Sequence, residues 1–267
     1  MLDTFAGIGG FSYAAHKLVG GFKTTQFVEI DPFCQKILKK HFPTVPCHDD
    51  IKTFSAIPGQ YDVITGGFPC QDISVAGRRE GITEQSRSGL FYSLMRVICL
   101  VRPRFVVMEN VAAILNNGLD IVLGELSEAG YNAEWSIISA SSLGASHRRS
   151  RWWCIATLAD PNINKCETGS EQLQQQGETT NRSSFITNSN SKGLQRQVFS
   201  KMESGIWSAK HTRRLDPNWR SYVSKPILPR GSYGLSYRVD RTKALGNSIV
   251  PAVAAIPLQR VHDLYYK

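Results

Sequence analysis

The chain has 267 residues, of which 42% are hydrophobic, and this size suits one full domain with a smaller attached module. It contains no apolar run of the roughly 18 residues that a membrane span needs, and its first residues, MLDTFAG, lack the features of a signal peptide. Its six cysteines are scattered without the spacing of metal ligands. These features argue against a membrane protein and a zinc module, and we expect a soluble, cytoplasmic protein without a bound metal.

The positive charge of the chain is concentrated in one segment. The net charge is +9, and residues 141–246 carry 17 lysines and arginines against 7 aspartates and glutamates. The rest of the chain carries 14 basic against 15 acidic residues. A basic segment on a neutral body favours binding to a polyanion, because cationic side chains displace the counterions that surround phosphates. A solvated basic surface without a ligand is the alternative interpretation.

Residues 1–157 alternate between short apolar runs and helix-compatible segments. The runs that predict buried strands are 2–5, 25–30, 61–65, 104–108, 135–138 and 152–156. The segments that predict helices are 11–18, 33–40, 89–101 and 118–129. This order predicts an α/β fold with a Rossmann-like, doubly wound, mostly parallel sheet and helices on both faces. Such sheets bind ligands at the carboxyl ends of their strands.

The composition changes beyond residue 157. In residues 162–197, 20 of 36 residues are Asn, Gln, Ser or Thr, so this stretch can bury little apolar surface by itself. Further on, aromatic residues return and are interleaved with arginines, which suits a small, loop-rich recognition module. The final segment, ALGNSIVPAVAAIPLQRVHDL, is apolar and helix-compatible, and we expect it to pack back on the first domain.

The motif DTFAGIGGF, residues 3–11, places three glycines between the first strand and the first helix. Gly7, Gly9 and Gly10 permit a tight turn and a close approach of the backbone to a ligand. Glu29 ends the second strand, 19 residues beyond Gly10, where a ribose hydroxyl would bind. Alone, the pattern fits an NAD or FAD enzyme as well as a methyl-donor enzyme, and a turn without a cofactor stays open.

Cys70 lies in the motif GGFPCQDIS, at the carboxyl end of the third predicted strand. A lone cysteine commonly fills a core. Here polar residues flank it, and the long polar loop that follows contains Gly77, Gly81 and Gly89, which could serve as hinges of a closing lid. These features favour a reactive role for Cys70.

The next strand brings a carboxyl group to the same edge. The run RFVVMENV ends in Glu109 and Asn110, and a half-buried carboxyl there would have a raised pKa and could donate a proton at neutral pH. In SHRRSRWWCIA, Arg149 and Arg151 alternate with His147. Arginines in this pattern fit either surface charge or the binding of phosphates or a base carbonyl.

Together and in this order, the motifs resemble those of bacterial and phage DNA (cytosine-5)-methyltransferases. The resemblance runs from Asp3 to about Ala255 and excludes the variable middle. It rests on DTFAGIGGF, Glu29, DDI at 49–51, GGFPCQDIS, SGLF at 88–91, ENV, HRRSR and RVDRTKALGNSIVP. It implies the class I S-adenosylmethionine-dependent methyltransferase fold, with a catalytic domain of residues 1–157 and 244–267 and a target-recognition domain at 158–243.

The resemblance also implies the chemistry and the site. Cys70 as thiolate would add to C6 of a flipped cytosine, Glu109 would hold and protonate N3, and Arg149 and Arg151 match the arginines near the flipped base. His147 has no assigned role. The residues implied to bind S-adenosylmethionine are Phe5, Ala6, Gly7, Ile8, Gly9, Gly10, Glu29, Ile30, Asp50, Ile51, Pro69, Leu90, Asn247 and Ser248.

The partners implied are double-stranded DNA and, functionally, a cognate restriction endonuclease. We expect a monomer that associates with the nucleoid of a bacterial or phage-infected cell. The recognised DNA sequence is not predicted, because it depends on a few side chains of the variable module.

Three alternatives remain at this stage. A tRNA cytosine-5 methyltransferase has the same fold, but that branch typically carries a Cys-Phe-Thr tripeptide, and none of the six cysteines is followed by Phe-Thr. A catalytically decayed DNA-binding protein is disfavoured by the intact set of Cys70, Glu109 and Arg149. A nicotinamide or flavin oxidoreductase would leave the ENV and GNSIVP segments unexplained.

Overall fold

The computed structural model describes residues 1–69, 90–159 and 238–267. The strands in these ranges are β1 (Leu2–Thr4), β2 (Gln26–Val28), β3 (Cys47–His48), β4 (Val63–Gly66), β5 (Phe105–Val111), β6 (Tyr131–Ser139) and β7 (Ser150–Leu158). The α-helices are α1 (Gly10–Tyr13), α2 (Pro32–His41), α3 (Leu90–Val101), α4 (Leu119–Glu128), α5 (Arg238–Asn247) and α6 (Pro251–Tyr265). A π-helix, Ala14–Val19, continues α1, and 3₁₀ turns at Ala112–Leu115 and Ala140–Leu143 follow β5 and β6. Cys70 and nearly all of the predicted recognition module lie outside the described residues.

The strands form a seven-stranded sheet in the order β3-β2-β1-β4-β5-β7-β6. β1 pairs in parallel with both β2 and β4, and β3 and β5 extend the parallel part on either side. β7 runs antiparallel between β5 and β6. The predicted mostly parallel α/β sheet is therefore confirmed. Because the order of the chain reverses beside β1, the carboxyl ends of β1 and its neighbours form the crevice where such sheets bind ligands.

Two strand predictions needed correction. β3 was not predicted, because a strand of two residues leaves no periodic pattern in the sequence. β5 was predicted to end before Glu109, but it continues through Asn110 to Val111. The ladder with β7 explains the extension, since Glu109 pairs with Trp153 and Asn110 with Trp152. Backbone pairing thus keeps two polar residues within the strand.

Two adjacent tryptophans of β7 divide the core between the two faces of the sheet. Trp152 packs with Phe91 of α3 on one face. Trp153 packs on the other face with Leu258 of α6 and with Phe11, whose ring centroid is 5.8 Å away in an edge-on arrangement. Successive side chains of a strand point to opposite faces, so β7 contributes one indole to each layer. Both tryptophans are at most 1% exposed.

The last helix, α6, lies against the first domain, as its apolar sequence predicts. Val253, Ala254 and Leu258 are buried in the layer that also contains α1 and the π-helix. Pro251 occupies the first turn of α6, where a missing N–H is tolerated.

None of the helices in the described ranges is long and apolar enough to cross a membrane.

A buried carboxyl group at the centre of the sheet joins three elements. Asp3 of β1 has no solvent exposure. Its Oδ2 accepts a hydrogen bond from Ser12 of α1 at 2.6 Å, and its Oδ1 accepts one from Thr65 of β4 at 2.8 Å. Thr24 in turn donates to the Ser12 hydroxyl at 3.0 Å. Burial raises the pKa of Asp3 to about 7, although the two hydroxyl donors act in the opposite direction.

This pKa makes stability depend on pH in a defined direction. Because the folded state binds the Asp3 proton more tightly than the unfolded chain, the free energy of unfolding should fall as the pH rises from about 4 through about 7. A tenfold change in proton affinity corresponds to about 1.4 kcal/mol. The side chain of Asp3→Asn keeps one donor and one acceptor but does not titrate. As the pH rises from 5 to 8, we therefore expect its free energy of unfolding to rise by about 2 kcal/mol relative to that of the unchanged protein.

Urea unfolding at pH 5, 6, 7 and 8 measures this difference. Asp120→Asn, an exposed position on α4, is the control and should follow the unchanged protein at every pH. Parallel stability curves for Asp3→Asn and the unchanged protein would show that the Asp3 carboxyl does not hold a proton in the folded state.

Candidate active site

The carboxyl ends of five neighbouring strands carry most of the predicted site residues in one row. In the order β3, β2, β1, β4 and β5, these are Asp50 and Ile51, Glu29 and Ile30, residues 5–10, residues 66–69, and Glu109. The five strands are parallel neighbours, so the sheet brings all of these residues to the same edge.

The carboxylate of Glu29 fixes the glycine turn. Its Oε2 accepts a hydrogen bond from the Gly7 N–H at 2.7 Å, and its Oε1 accepts one from the Asp31 N–H at 2.8 Å. Burial raises the pKa of Glu29, while these backbone donors act in the opposite direction by stabilising the ionised form. A carboxylate oxygen has two acceptor positions. Binding of a ligand hydroxyl by Glu29 remains its predicted role.

The glycine turn leaves open space beside Gly7, where the sequence predicts that the cofactor binds. A Cβ on Gly7 would have no other atom within 4 Å, whereas one on Gly9 or Gly10 would lie 3.0 to 3.1 Å from core side chains. Packing therefore requires Gly9 and Gly10, while Gly7 faces open space. Ile30, next to Glu29, is 69% exposed, and such a free apolar surface suits a planar base.

Arg149 holds the C-terminal motif against the sheet. Its guanidinium donates to the carbonyls of Gly246 at 2.9 Å and Ser248 at 2.5 Å. Asn247 lies between these two residues, and the Ser248 hydroxyl donates to the Leu245 carbonyl at 2.9 Å. Arg149 directly precedes β7 and has a φ of 37°, a left-handed conformation that L residues rarely adopt. The two carbonyl contacts stabilise this strained backbone.

Glu109 lies beside the segment that leads to Cys70. Its side chain is only 14% exposed, and its Oε1 is 3.0 Å from Nε of Arg151. Burial raises the pKa of Glu109, while the positive charges of Arg151 and Arg149 act in the opposite direction. Arg151 thus orients a carboxyl group whose pKa remains above its ordinary value. A raised pKa favours the protonated form, which is the form that a general acid needs.

Lack of space explains the two consecutive glycines at the end of β4. A Cβ on Gly66 would lie 2.7 Å from Oγ1 of Thr4, which is too close for any side chain. A Cβ on Gly67 would lie 3.2 Å from Oε2 of Glu109. A side chain on Gly67 would therefore displace the Glu109 carboxyl group by a few tenths of an ångström.

Asn110 anchors the next two residues of that segment. Its buried side chain donates from Nδ2 to the Phe68 carbonyl at 3.3 Å. Phe68 packs against Phe91 of α3, with the ring centroids 5.2 Å apart. Pro69 follows and is the last described residue before Cys70. The position of the chain is thus defined up to the residue that precedes the predicted nucleophile.

The structure distinguishes among the four predicted catalytic residues. Glu109 and Arg151 form a direct ion pair. Arg149 acts on Glu109 through its charge, since its guanidinium donates to the C-terminal carbonyls. Cys70 lies outside the described residues. Leu90, predicted to contact the cofactor, is the half-buried first residue of α3. The catalytic and binding roles of these residues remain predictions.

Two basic residues of this edge were not predicted. Lys243 of α5 binds the Asp31 carboxylate, with Nζ 2.9 Å from Oδ2, and Asp31 also caps α2. Arg96 of α3 donates to the carbonyls of the loop after β3. Lys243 is 212 residues from Asp31 in the sequence, and Arg96 is at least 42 residues from each of its partners. No local pattern in the sequence could reveal contacts over such separations.

The strand order, the glycine turn after β1 and the buried acid after β2 define a class I methyltransferase fold of the kind that uses S-adenosylmethionine. Within this class, the chain belongs to the family described as C-5 cytosine-specific DNA methylase, whose sequence model matches residues 1–225. The family uses S-adenosylmethionine as the methyl donor.

Curated relatives agree with this family. The Type II methyltransferase M.CviJI of Paramecium bursaria Chlorella virus IL3A is 39% identical over 162 residues, which are 60% of this chain and 43% of that protein. The Type II methyltransferase M.HhaI of Haemophilus parahaemolyticus is 30% identical over 166 residues, 61% of this chain and 50% of that protein. The matches thus span half or less of the length of these relatives.

A solved structure supports the fold. The methyltransferase EhMeth of Entamoeba histolytica has a TM-score of 0.61 with this chain at 16% identity, and the match covers 100% of this chain and 98% of that one. At this level of identity, the likeness concerns the fold alone.

The contacts of Arg149 lead to a stability prediction. Arg149→Met would leave two carbonyls without a charged donor, and hydrogen bonds to charged groups contribute about 1.5 to 3 kcal/mol. We expect the free energy of unfolding to fall by about 2 kcal/mol. Amide hydrogen exchange in residues 244–256 should become faster, because this segment loses its attachment to the start of β7.

The neighbouring Arg148 provides a matched control, because it is exposed. Arg148→Met should change neither the unfolding free energy by more than about 0.5 kcal/mol nor the exchange of residues 244–256. Equal effects of the two substitutions would contradict the attachment role of Arg149.

Proposed function

We propose that the protein transfers a methyl group from S-adenosylmethionine to C5 of a cytosine in a specific duplex DNA sequence. One observation carries the proposal. The half-buried Glu109, ion-paired with Arg151 at 3.0 Å, lies directly beside the segment that leads to Cys70. The glycine turn lies two strands away at the same sheet edge. This arrangement supports an acid, a nucleophile and a cofactor acting on one base.

Cys70 supplies the covalent step in this proposal. C5 of cytosine is a poor nucleophile, so the Cys70 thiolate first adds to C6 and an electron pair becomes available at C5. S-adenosylmethionine would supply the methyl group to C5 and leave as S-adenosylhomocysteine. A base from the solvent then takes the C5 proton, the electron pair of that bond restores the double bond between C5 and C6, and the bond between sulfur and C6 breaks to release the thiolate. No atom of the protein is consumed in the cycle.

Glu109 supplies the acid step. When the thiolate adds to C6, negative charge develops on the ring, and a proton from Glu109 to N3 neutralises it. Burial raises the pKa of Glu109 and so favours the protonated form that this step requires. Arg151 holds the carboxyl group by its Nε contact. Asn110 holds the Phe68 carbonyl, which supports the chain next to the nucleophile.

The target base must leave the DNA stack to reach Cys70, because C6 is not accessible within a duplex. We propose that residues 158–243 form the target-recognition domain and that residues 1–157 and 244–267 form the catalytic domain. The basic excess of residues 141–246 supports contacts to phosphates. The proposed boundary at residue 243 falls within α5, which runs from Arg238 to Asn247.

We also propose that the protein acts as a monomer, since a single flipped base in a duplex presents an asymmetric target. A functional pairing with a restriction endonuclease is supported by relatives described as Type II methyltransferases. Methylation of a tRNA cytosine is the competing substrate assignment.

Glu109→Gln tests the acid step. The amide keeps the shape and polarity of the side chain but cannot transfer the proton, so we expect the rate at saturating substrates to fall about 100-fold or more. Binding of S-adenosylhomocysteine and of DNA should change less than about threefold. Tritium transfer from labelled S-adenosylmethionine to a duplex substrate measures the rate, and calorimetry measures the binding.

Glu134 offers a matched control. It also forms an ion pair with an arginine, its Oε1 lying 3.0 Å from Nε of Arg260, and it is similarly half-buried. Glu134→Gln should keep the rate within about threefold. A comparable loss of rate in both variants would mean that Glu109 acts only through a structural ion pair.

The reaction itself can be tested with a duplex library of random sequence. After incubation with S-adenosylmethionine, chemical-conversion sequencing should reveal 5-methylcytosine within one short shared sequence context. Cys70→Ser should abolish this methylation, because a serine hydroxyl is far less ionised than a cysteine thiol at neutral pH.

An RNA library, including tRNA, is assayed in parallel. Methylation of RNA alone would replace DNA by RNA as the substrate. Binding of the cofactor without methylation of either library would favour a catalytically decayed scaffold, and full activity of Cys70→Ser would contradict the covalent mechanism.

A further inference from the structure

The loop of residues 49–54 follows β3 and carries two predicted cofactor residues, Asp50 and Ile51. It is a compact turn. The backbone N–H groups of Thr53 and Phe54 both donate to the Asp50 carbonyl at 3.1 Å, and the Asp50 carboxylate accepts the Lys52 N–H at 2.9 Å. The position of Asp50 therefore depends on the conformation of the whole loop.

The side chain of Arg96, on α3, donates hydrogen bonds to backbone carbonyls of this loop. Its Nη2 lies 2.7 Å from the Ile51 carbonyl, 2.8 Å from the Phe54 carbonyl and 3.3 Å from the Lys52 carbonyl. Three carbonyls of four consecutive residues thus converge on one guanidinium nitrogen. A hydrogen bond from a charged donor is about twice as strong as a neutral one, so Arg96 is a strong constraint on the loop.

Helix α3 is a rigid base for this contact. Leu94, Val97 and Ile98 on either side of Arg96 are fully buried. The helix begins with Leu90, another predicted cofactor residue, and Arg96 lies six helical steps, or about 9 Å, further along the axis. Arg96 therefore links two segments that we expect to contact the cofactor from different parts of the chain.

We infer that Arg96 is a positioning residue for cofactor binding, which acts by holding the Asp50 and Ile51 loop at a fixed place relative to α3. The inference rests on the proposed function, because it takes the loop to contact S-adenosylmethionine. Glu109 and Arg151 are not among the partners of Arg96. Loss of Arg96 should therefore weaken cofactor affinity and change the chemical step little.

Three variants of the full chain test the inference. Arg96→Met keeps the apolar stem but removes the donors, and Arg96→Lys restores one charged donor group. Arg102→Met is the matched control: Arg102 follows α3, donates from Nη1 to the Ala129 carbonyl at 2.6 Å and lies over the Tyr131 ring. It thus binds a backbone carbonyl from the other end of the same helix.

The measured quantity is the Kd of S-adenosylhomocysteine by calorimetry without DNA, together with urea unfolding of each variant. We expect Arg96→Met to raise the Kd about tenfold, Arg96→Lys to raise it less, and Arg102→Met to leave it unchanged. In methylation assays, Arg96→Met should raise the KM for the methyl donor at nearly constant kcat. The same Kd in Arg96→Met and the unchanged protein would overturn the inference.

The remaining outcomes separate the inference from the proposed function. If Arg96→Met and Arg102→Met raise the Kd in proportion to their loss of stability, Arg96 has a structural role only. If Arg96→Met does not fold, an Arg96→Lys protein that folds with unchanged Kd and KM contradicts the inference by itself. If the unchanged protein does not bind S-adenosylhomocysteine, the proposed function and the inference both fail.

Discussion

The arrangement of the candidate active site depends on the hydrogen bonds of one buried carboxyl group, that of Asp3. β1 has only three residues, yet it lies in the middle of the parallel part of the sheet, between β2 and β4. Its side-chain bonds to Ser12 and Thr65 connect it to the helix that follows the glycine turn and to the strand that leads to Cys70. A strand this short obtains its fixed position from these lateral contacts, since ladder hydrogen bonds alone are few.

Two glutamates at this edge, the buried Glu29 and the half-buried Glu109, have different partners. Glu29 accepts two backbone N–H groups, which favour an ionised acceptor. Glu109 faces Arg151 and lies where a side chain on Gly67 would touch it. Burial raises the pKa of both groups. The same residue type thus lies among backbone donors at β2 and beside an arginine at β5, which is consistent with the two different roles that we propose for Glu29 and Glu109.

Much of this arrangement could be predicted from the sequence, because motifs that precede or follow strands report the edge of a parallel sheet. The apolar runs located six of the seven strands, and the GGFPC and ENV motifs indicated neighbouring strand ends. The extension of β5 could not be predicted, since its polar residues are kept in the strand by pairing with β7. Contacts between distant segments, such as Arg96 with Ile51 or Lys243 with Asp31, leave no local signal.

The helix α5 has a consequence for exchanging specificities among related enzymes. It spans the proposed domain boundary, and its Lys243 contacts the cap of α2 while the following Gly246 is bound by Arg149. A chimaera that joined a foreign recognition segment at residue 243 would divide one helix between two parents. The suitable junction on the C-terminal side is therefore before Arg238. The parent that supplies Asp31 and Arg149 then also supplies α5 with its Lys243 and Gly246.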